Sequence, residues 1–317
     1  MRISIVSPAP QGSSLGNAVT ADRYAELFSD LGFHARVVPA YVDEDRPDVL
    51  VALHARKSAE SVLAFSRAHP QRRSIVVLTG TDIYRDIERS ARAREALAQT
   101  HAIVALQPCA LDRLDPELRS KAVTIEQSAP TVPHARSVNA ALSVCVLGHL
   151  RYEKDPLRAA YALERIRADE ATVCVHQAGG VLQPYLGEAA QRIARRDARY
   201  RYAGELSRTD AQALLASSDV MVISSRMEGG ANVVSTAIAC GTPILASRID
   251  GNVGLLGADY PGYFPVTDTK ALARLLVRCD RDRAFLRELH AWCDRIRSLV
   301  EPRRERDLWA ELIERMR

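Results

Sequence analysis

The sequence lacks several features that would assign it to a class at once. No apolar run approaches the roughly 18 residues that a membrane-spanning helix needs. The first six residues are too soon followed by proline to form a signal peptide. The six cysteines show no C-x-x-C spacing, which argues against both zinc and disulfides. We therefore expect a cytoplasmic protein.

Lysine is scarce. Of the 43 basic residues only four are lysines, against 39 acidic residues, and the net charge is +4. The longest basic runs are arginine pairs, whereas a nucleic-acid surface needs a clustered basic face. Nucleic acid is therefore not an expected partner, and each lysine in a motif stands out: Lys57, Lys121, Lys154 and Lys270.

A length of 317 residues corresponds to about two domains. Short β-branched runs alternate with helical patterns, which predicts parallel sheets covered on both faces. The predicted strands are 3–6, 34–38, 49–53, 75–79, 102–106 and 122–126 in the first half, and 143–147, 172–176, 200–203, 220–224, 243–247 and 263–266 in the second. The fold class is thus α/β, with two Rossmann-like domains.

The domain boundary is expected in the polar stretch 128–137, which carries two prolines and no periodicity. From about 268 the strands stop and helices run to the end. The last helix, after Pro302, has an apolar stripe that must dock on a neighbour: Leu308, Trp309, Leu312 and Ile313.

In open α/β sheets, ligands bind beyond the carboxyl ends of the strands. The residues at those positions are rich in hydroxyls, glycines, histidines and cations, which suits an anionic ligand held between two domains. They are 7–17, 54–57, 79–82, 148–151, 224–226 and 247–248.

Residues 224–235, with the sequence SSRMEGGANVVS, form the most specific motif. A strand ends at Ser224, two glycines follow, and a helix begins near Ala231. Free amides at a helix N-terminus approached through glycines bind anions, and Glu228 can accept hydrogen bonds from sugar hydroxyls. The alternative is a plain turn in which Glu228 stabilises the helix dipole.

Residues 148–156, with the sequence GHLRYEKDP, form the second motif. Gly148 closes a strand, and Lys154 precedes a helix predicted to open at Asp155 and Pro156. A lysine in so arginine-rich a chain indicates a need for a compact charge. The alternative is a surface lysine near a helix cap.

The loop 8–17 is the third motif, and its glycines allow a ligand to approach backbone amides. It does not have the dinucleotide-binding pattern G-x-G-x-x-G. The alternative is that Asn17 or Thr20 caps the first helix.

Two D-x-D strings, at 43–45 and 280–282, do not make a metal site by themselves.

Together these motifs resemble the GT-B glycosyltransferases of the large retaining-type group that uses nucleotide sugars. The resemblance implies two domains facing across a cleft, with a final helix that crosses back to the first. The domains would be 1–136 together with about 302–317, and 137–300. Lys154 matches the group's lysine, whereas His149 replaces its usual arginine, so Arg151 is expected to supply that charge. Of two glutamates separated by seven residues, Glu228 is kept and Thr236 replaces the second, which usually holds the ribose.

A closer resemblance covers nearly the whole chain and is to the selenosugar synthases of the selenoneine pathway. It rests on VALHAR at 51–56, LTGTD at 78–82, CVLGHLR at 145–151, KDP at 154–156, EGGANVVS at 228–235 and the string 251–266. That family transfers N-acetylglucosamine or glucose from a UDP-sugar to the selenium of selenophosphate. The resemblance implies no metal or other cofactor. It also implies a functional link to a selenophosphate synthetase and a sulfoxide-synthase-like enzyme.

The resemblance and the motifs assign three sets of residues. The expected catalytic residues are Lys154, Glu228, Arg151 and His54. The expected donor-binding residues are Gly148, His149, Arg151, Lys154, Glu205, Leu206, Glu228, Gly229, Gly230, Ala231, Asn232, Val233, Ser235 and Thr236. The expected acceptor-binding residues are Gly16, Asn17, His54, Arg56, Lys57, Thr79, Gly80, Thr81 and Asp82.

A selenophosphate nucleophile is already anionic, so it needs an anion pocket and correct placement more than a base. Two other hypotheses fit the same residues. One is a GT-B transferase with a hydroxyl acceptor, for which His54 or Asp82 would be the base. The other is a two-domain protein that binds a phosphorylated ligand without chemistry.

Overall fold

The computed structural model describes residues 1–131 and 141–316, whose contacts divide them into two units. Unit 1 comprises Met1–Gln127, Glu228–Gly230 and Arg303–Arg317, and unit 2 comprises Ser128–Met227 and Ala231–Pro302. The expected boundary between residues 136 and 137 lies outside the described residues, as does most of the connector expected at 128–137.

Unit 1 is built on a six-stranded parallel sheet in the order β2-β1-β3-β4-β5-β6. Because helices cover both faces, central strands such as β3 are apolar along their whole length. The strands are β1 Arg2–Val6, β2 His34–Val38, β3 Val49–Leu53, β4 Arg73–Leu78, β5 Ala102–Ala105 and β6 Ala122–Thr124.

The helices of unit 1 alternate with these strands. A π-helical turn, Asp82–Asp86, follows β4 at the edge where ligands are expected. The helices are α1 Gly16–Asp30, α2 Ala59–Ala68, α3 Ile87–Arg89, α4 Ala91–Gln99 and α5 Pro116–Arg119.

Unit 2 has a second six-stranded parallel sheet, in the order β12-β11-β10-β7-β8-β9. Its strands are β7 Leu142–Leu147, β8 Val173–Ala178, β9 Tyr200–Tyr202, β10 Val220–Ile223, β11 Ile244–Ser247 and β12 Tyr263–Phe264. Its helices are α6 Arg158–Leu163, α7 Pro184–Arg196, α8 Arg208–Ala216, α9 Asn232–Cys240, α10 Asp250–Leu256, α11 Thr269–Arg281 and α12 Arg283–Ile296.

The last helix, α13 (Pro302–Glu314), packs into the core of unit 1. Its Trp309 is fully buried and meets the rings of Tyr24 and Phe28 edge-on, with centroids 4.9 and 5.1 Å away. Burial of an indole and two such aromatic contacts is a strong local attachment. The expectation that the apolar stripe docks is confirmed.

The predicted fold class is confirmed, and each predicted strand is present within two residues of its bounds. The second motif differs, because α6 begins at Arg158 rather than at Asp155. Asp155 has a left-handed backbone with φ of +45°, which a helix cannot contain. In the described part of the chain, no helix has the length and apolar character to cross a membrane.

Candidate active site

In the sheet of unit 2, successive strands are added on one side of β7 up to β9 and on the other side from β10 onwards. Open α/β sheets bind their ligands at this switch point, between β7 and β10. The two most specific motifs follow these two strands. The 148–156 motif leaves β7, and the 224–235 motif leaves β10 and enters α9.

Glycine is required where the chain leaves β7. A Cβ at Gly179, after β8, would stand 2.0 Å from the carbonyl oxygen of Gly148, so the two backbones touch. Gly148 has φ of +156°, and the aliphatic stem of Lys154 passes 3.8 Å from the place where its Cβ would be. The stem of the half-buried Lys154 therefore lies along bare backbone at this strand end.

Arg151 stands beside the lysine, between Leu150 and a short 3-10 turn, Tyr152–Lys154. It is half-buried, and its Nε has no hydrogen-bond partner among the described residues. A buried N–H donor without a partner costs free energy. An anionic ligand would remove that cost.

His149 and Glu205 meet at the ends of β7 and β9. A Cβ at Gly180 would stand 3.3 Å from His149 Nδ1 and 3.1 Å from Glu205 Oε2. The neighbouring Leu206 is half-buried. The structure thus brings these three expected donor residues to the same edge of the sheet as Gly148.

α9 begins at Asn232, as expected, and Ala231 is its N-cap. No side chain of the N-cap residue bonds the first amides of the helix, and such uncapped amides, here including those of Asn232 and Val233, are the groups with which a helix N-terminus binds an anion. Ser235 is buried. The Thr236 hydroxyl donates a 2.9 Å hydrogen bond to the Asn232 carbonyl, which ties it to the helix itself.

Glu228–Gly230, the segment between β10 and α9, is grouped with unit 1. Glu228 is buried. A Cβ at Gly229 would stand 2.5 Å from the Gly80 amide nitrogen, and one at Gly230 would stand 2.6 Å from the Leu106 side chain. Both positions therefore require glycine for packing, which the motif did not show. A side chain at Gly229 would collide with the Gly80 backbone, and one at Gly230 would collide with Leu106.

Asp82 organises the backbone beyond β4. Its fully buried carboxylate accepts hydrogen bonds of 2.7 to 3.1 Å from four backbone amides, those of Ala55, Thr79, Gly80 and Ile83. Asp82 therefore shapes the Thr79–Thr81 strand end and has no lone pair directed at a ligand.

His54, at the end of β3, is buried and has φ of +72°, an uncommon conformation for a non-glycine residue. Its Nδ1 accepts the Lys57 amide at 3.3 Å, so its Nε2 carries the proton and donates to Thr81 Oγ1 at 3.0 Å. Burial lowers the pKa of His54, although Asp82 and Asp86 oppose this shift. The imidazole is therefore neutral and both its nitrogens are engaged.

Positive charge surrounds this strand end. Arg56 Nε lies 2.8 Å and Arg85 Nε 3.1 Å from the Asp86 carboxylate. Burial alone would raise the pKa of Asp86, but these two arginines outweigh it and the pKa is lowered. The exposed Lys57 adds a third cation near this strand end, against the two carboxylates of Asp82 and Asp86, and the excess of positive charge suits an anion.

The loop before α1 is simpler than expected. Neither Asn17 nor Thr20 caps the helix, which starts at Gly16 with no side-chain cap. The Thr20 hydroxyl instead accepts a hydrogen bond from Gln127 at 2.9 Å. The amides of Gly16 and Asn17 are left at the open end of a 15-residue helix.

Sequence reasoning missed Asp86, and it placed Asp155 and Arg226 in motifs without finding the contacts that they make. Asp86 binds Arg56, and Asp155 lies 3.6 Å from Arg226; both arginines are distant in sequence, so periodicity could not find these pairs. Among the described residues, no cluster of three His, Cys, Asp or Glu side chains is arranged to hold a metal ion. The D-x-D residue Asp282 caps α12 instead.

Comparison with known proteins finds one matching family model and solved structures with a similar fold. Residues 141–282, which lie almost entirely in unit 2, match the family model described as Glycosyl transferases group 1. No curated protein matches the chain.

Three solved structures are similar over nearly the whole chain. HepE of Anabaena, in complex with UDP and glucose, has 14% identity and a TM-score of 0.73, with 99% of each chain covered. Sucrose-phosphate synthase of Thermosynechococcus elongatus has 14% identity and a TM-score of 0.77, over 99% of this chain and 98% of that one. A glycosyltransferase of Rickettsia africae has 12% identity and a TM-score of 0.76, over 99% and 98%. At these identities the likeness establishes the fold, which is GT-B.

Proposed function

We propose that the protein is a glycosyltransferase that moves N-acetylglucosamine or glucose from a UDP-sugar to the selenium of selenophosphate. The group 1 family match over residues 141–282 supports the transferase activity. HepE, a structure with the same fold, holds UDP and glucose, which supports the choice of donor.

In this proposal unit 2 binds the donor diphosphate. Lys154 and Arg151 supply two cations at the end of β7, and the uncapped N-terminus of α9 supplies amides. When the bond between the sugar and UDP breaks, the departing phosphate gains charge, and these groups stabilise it. We propose that they do so without a metal or other cofactor.

Glu228 would contact the donor sugar. It is buried in the segment that packs on Gly80, and Thr79 and Gly80 are expected acceptor residues. Within unit 1, the residue proposed for the sugar and those proposed for the acceptor are therefore neighbours, as transfer between the two requires.

Both candidate bases are already occupied by hydrogen bonds, and this observation carries the choice of acceptor. A hydroxyl acceptor must lose a proton during transfer, usually to a positioned side chain. Asp82 is occupied by four amides, and His54 is neutral with both nitrogens in hydrogen bonds. A nucleophile that arrives as an anion needs neither, whereas the hydroxyls and cations around Thr81, Arg56 and Lys57 suit its phosphate oxygens.

The transfer exchanges one bond to the anomeric carbon of the sugar for another. Selenium uses one electron pair to form the C–Se bond at the anomeric carbon, and the C–O bond to UDP breaks, with its electrons leaving on the β-phosphate. The product is a sugar joined through selenium to phosphate. Attack of water on phosphorus then releases inorganic phosphate and the 1-seleno-sugar. An enzyme that phosphorylates selenium to make selenophosphate must act before this step. An enzyme of the sulfoxide-synthase type, which moves the selenium of the seleno-sugar to a further compound, would act after it.

Product analysis tests the proposal. The protein is incubated with UDP-N-acetylglucosamine or UDP-glucose and selenophosphate, and in parallel with sugar-alcohol acceptors or with no acceptor. We expect a selenium-containing sugar by mass spectrometry only in the selenophosphate reaction. Glycosylated alcohols would point to a hydroxyl acceptor, and donor binding without any turnover would point to a binding protein; either result contradicts the proposal.

A further inference from the structure

Arg226, two residues before Glu228, connects the two strand ends of the proposed donor site. It follows β10, yet its backbone amide and its guanidinium both contact the turn that follows β7. Its backbone amide donates a 2.8 Å hydrogen bond to the carbonyl of Glu153. Its guanidinium lies over the Tyr152 ring, with Cζ 4.5 Å from the ring centroid.

Asp155 is the third attachment. Arg226 Nη2 stands 3.6 Å from its carboxylate, and Arg158 grips the same carboxylate with two hydrogen bonds of 2.9 and 3.1 Å. The Asp155 carbonyl also accepts a 2.8 Å hydrogen bond from the Ser224 hydroxyl. The carboxylate therefore ties the turn to α6 on one side and to β10 on the other.

The turn needs such support. Asp155 is an aspartate in the left-handed region, a conformation that persists when the surroundings determine it. Tyr152 is 56% exposed, so its ring has little other packing to hold it. Lys154 lies between these two residues, and the direction of its side chain depends on the turn that carries it.

We propose that Arg226 is a positioning residue that fixes the 152–155 turn and thereby aims Lys154 at the donor diphosphate. The inference rests on the proposed function for the identity of the ligand, but its contacts lie entirely within unit 2. Arg226 acts through the turn, and Lys154 touches the phosphate.

A double-mutant cycle on UDP binding separates this role from direct ligation. Arg226→Gln is made in the natural chain and in Lys154→Ala, and UDP is titrated by calorimetry. We expect Arg226→Gln to weaken UDP about tenfold when Lys154 is present and less than about twofold when it is absent. Equal weakening in both backgrounds would make Arg226 an independent ligand and overturn the proposal.

A second measurement requires no ligand. The amides of Lys154 and Asp155 donate to the carbonyls of Arg151 and Tyr152, so their hydrogen exchange reports the order of the turn. We expect exchange to be at least about fivefold faster in Arg226→Gln. Unchanged exchange overturns the proposal even if UDP proves not to bind, whereas failure of the natural chain to bind UDP overturns only the proposed function.

Two further variants complete the design. Arg295→Gln removes another arginine stacked on an aromatic ring, that of Trp292 at 4.1 Å on α12, and should alter neither readout. If the glutamine variant fails to fold, Arg226→Lys, which keeps the charge but not the planar stack, takes its place in both measurements. Unaltered exchange and UDP affinity in a folded lysine variant would then overturn the proposal, because the turn would keep its order without the guanidinium stacked on Tyr152.

Discussion

Nε2 of His54 lies 3.0 Å from Oγ1 of Thr81, and this hydrogen bond uses the single N–H of a neutral imidazole. The other ring nitrogen accepts the Lys57 amide. His54 therefore orients the threonine hydroxyl and is not available as a base. This relationship leads to the first prediction.

His54→Asn should fold, because asparagine tolerates the left-handed backbone at this position. We expect kcat with selenophosphate to fall less than about tenfold, whereas loss of a general base costs about 100- to 10,000-fold. His101→Asn, which removes a histidine bonded to the Ser74 amide elsewhere in unit 1, serves as the control. A loss of kcat in the range expected for a base would return that role to His54.

The same variant should change how stability depends on pH. Burial lowers the folded-state pKa of His54 below 6.5, so the unfolded chain takes up this proton first. The stability that depends on a neutral His54 is therefore present in full above the pKa of the unfolded state. It is lost as the pH falls through 6.5 towards the lower pKa of the folded state. Between about pH 7.5 and pH 5, the free energy of unfolding should therefore drop more for the natural chain than for His54→Asn.

Lys154→Ala should remove one charge-assisted contact to the departing diphosphate. Such a contact contributes about 2–4 kcal/mol in a desolvated site, so kcat/KM should fall roughly 30- to 1,000-fold. Lys270→Ala, at an exposed lysine of α11, is the matched control. Turnover of a folded Lys154→Ala variant at the natural rate would show that the diphosphate lies elsewhere.

Arg151→Ala should weaken UDP binding as well. An unchanged affinity for UDP would assign that charge to His149.

Glu305→Gln should loosen the attachment of α13. The buried Glu305 lies 3.2 Å from Arg23, whose side chain is 13% exposed. Breaking a buried ion pair costs about 3–5 kcal/mol, and we expect the lower end because Arg23 retains some water. Chemical denaturation measures the loss. Glu311→Gln, in an exposed pair with Arg315, should cost less than about 1 kcal/mol, and equal losses would show that burial of the pair is not what matters.

Thr236→Glu tests how the ribose is held. If a carboxylate there accepts hydrogen bonds from both ribose hydroxyls, UDP should bind about 1–3 kcal/mol more tightly. Among the described residues, the Thr236 hydroxyl bonds to the Asn232 carbonyl of its own helix, so its replacement breaks a hydrogen bond within α9. A lower melting temperature without tighter UDP binding would mean that the position is one of packing.

The sequence was sufficient for the strands because each is a short apolar run bounded by turns, and all twelve are present. It was also sufficient for the start of α9 and for the docking of Trp309. It was not sufficient for the start of α6, because Asp155 has a left-handed backbone and contacts Ser224 and Arg226, which no local pattern brings near.

The same limit applies to the candidate site. His54 and Asp82 were located correctly at strand ends, but their availability depends on amides that only the fold brings near. A carboxylate or an imidazole in a sequence carries no mark of whether its lone pairs are already used. For that reason the hydroxyl-acceptor hypothesis could not be weighed against the selenophosphate one before the hydrogen bonds were known.

The central claim is that the acceptor arrives as an anion and needs no base. Its most direct test is the initial rate of UDP release from the UDP-sugar with selenophosphate, with inorganic phosphate in its place, and with neither. The account predicts release that depends on selenophosphate and saturates with it, with background rates in the other two reactions. Release at equal rates in all three reactions would contradict it.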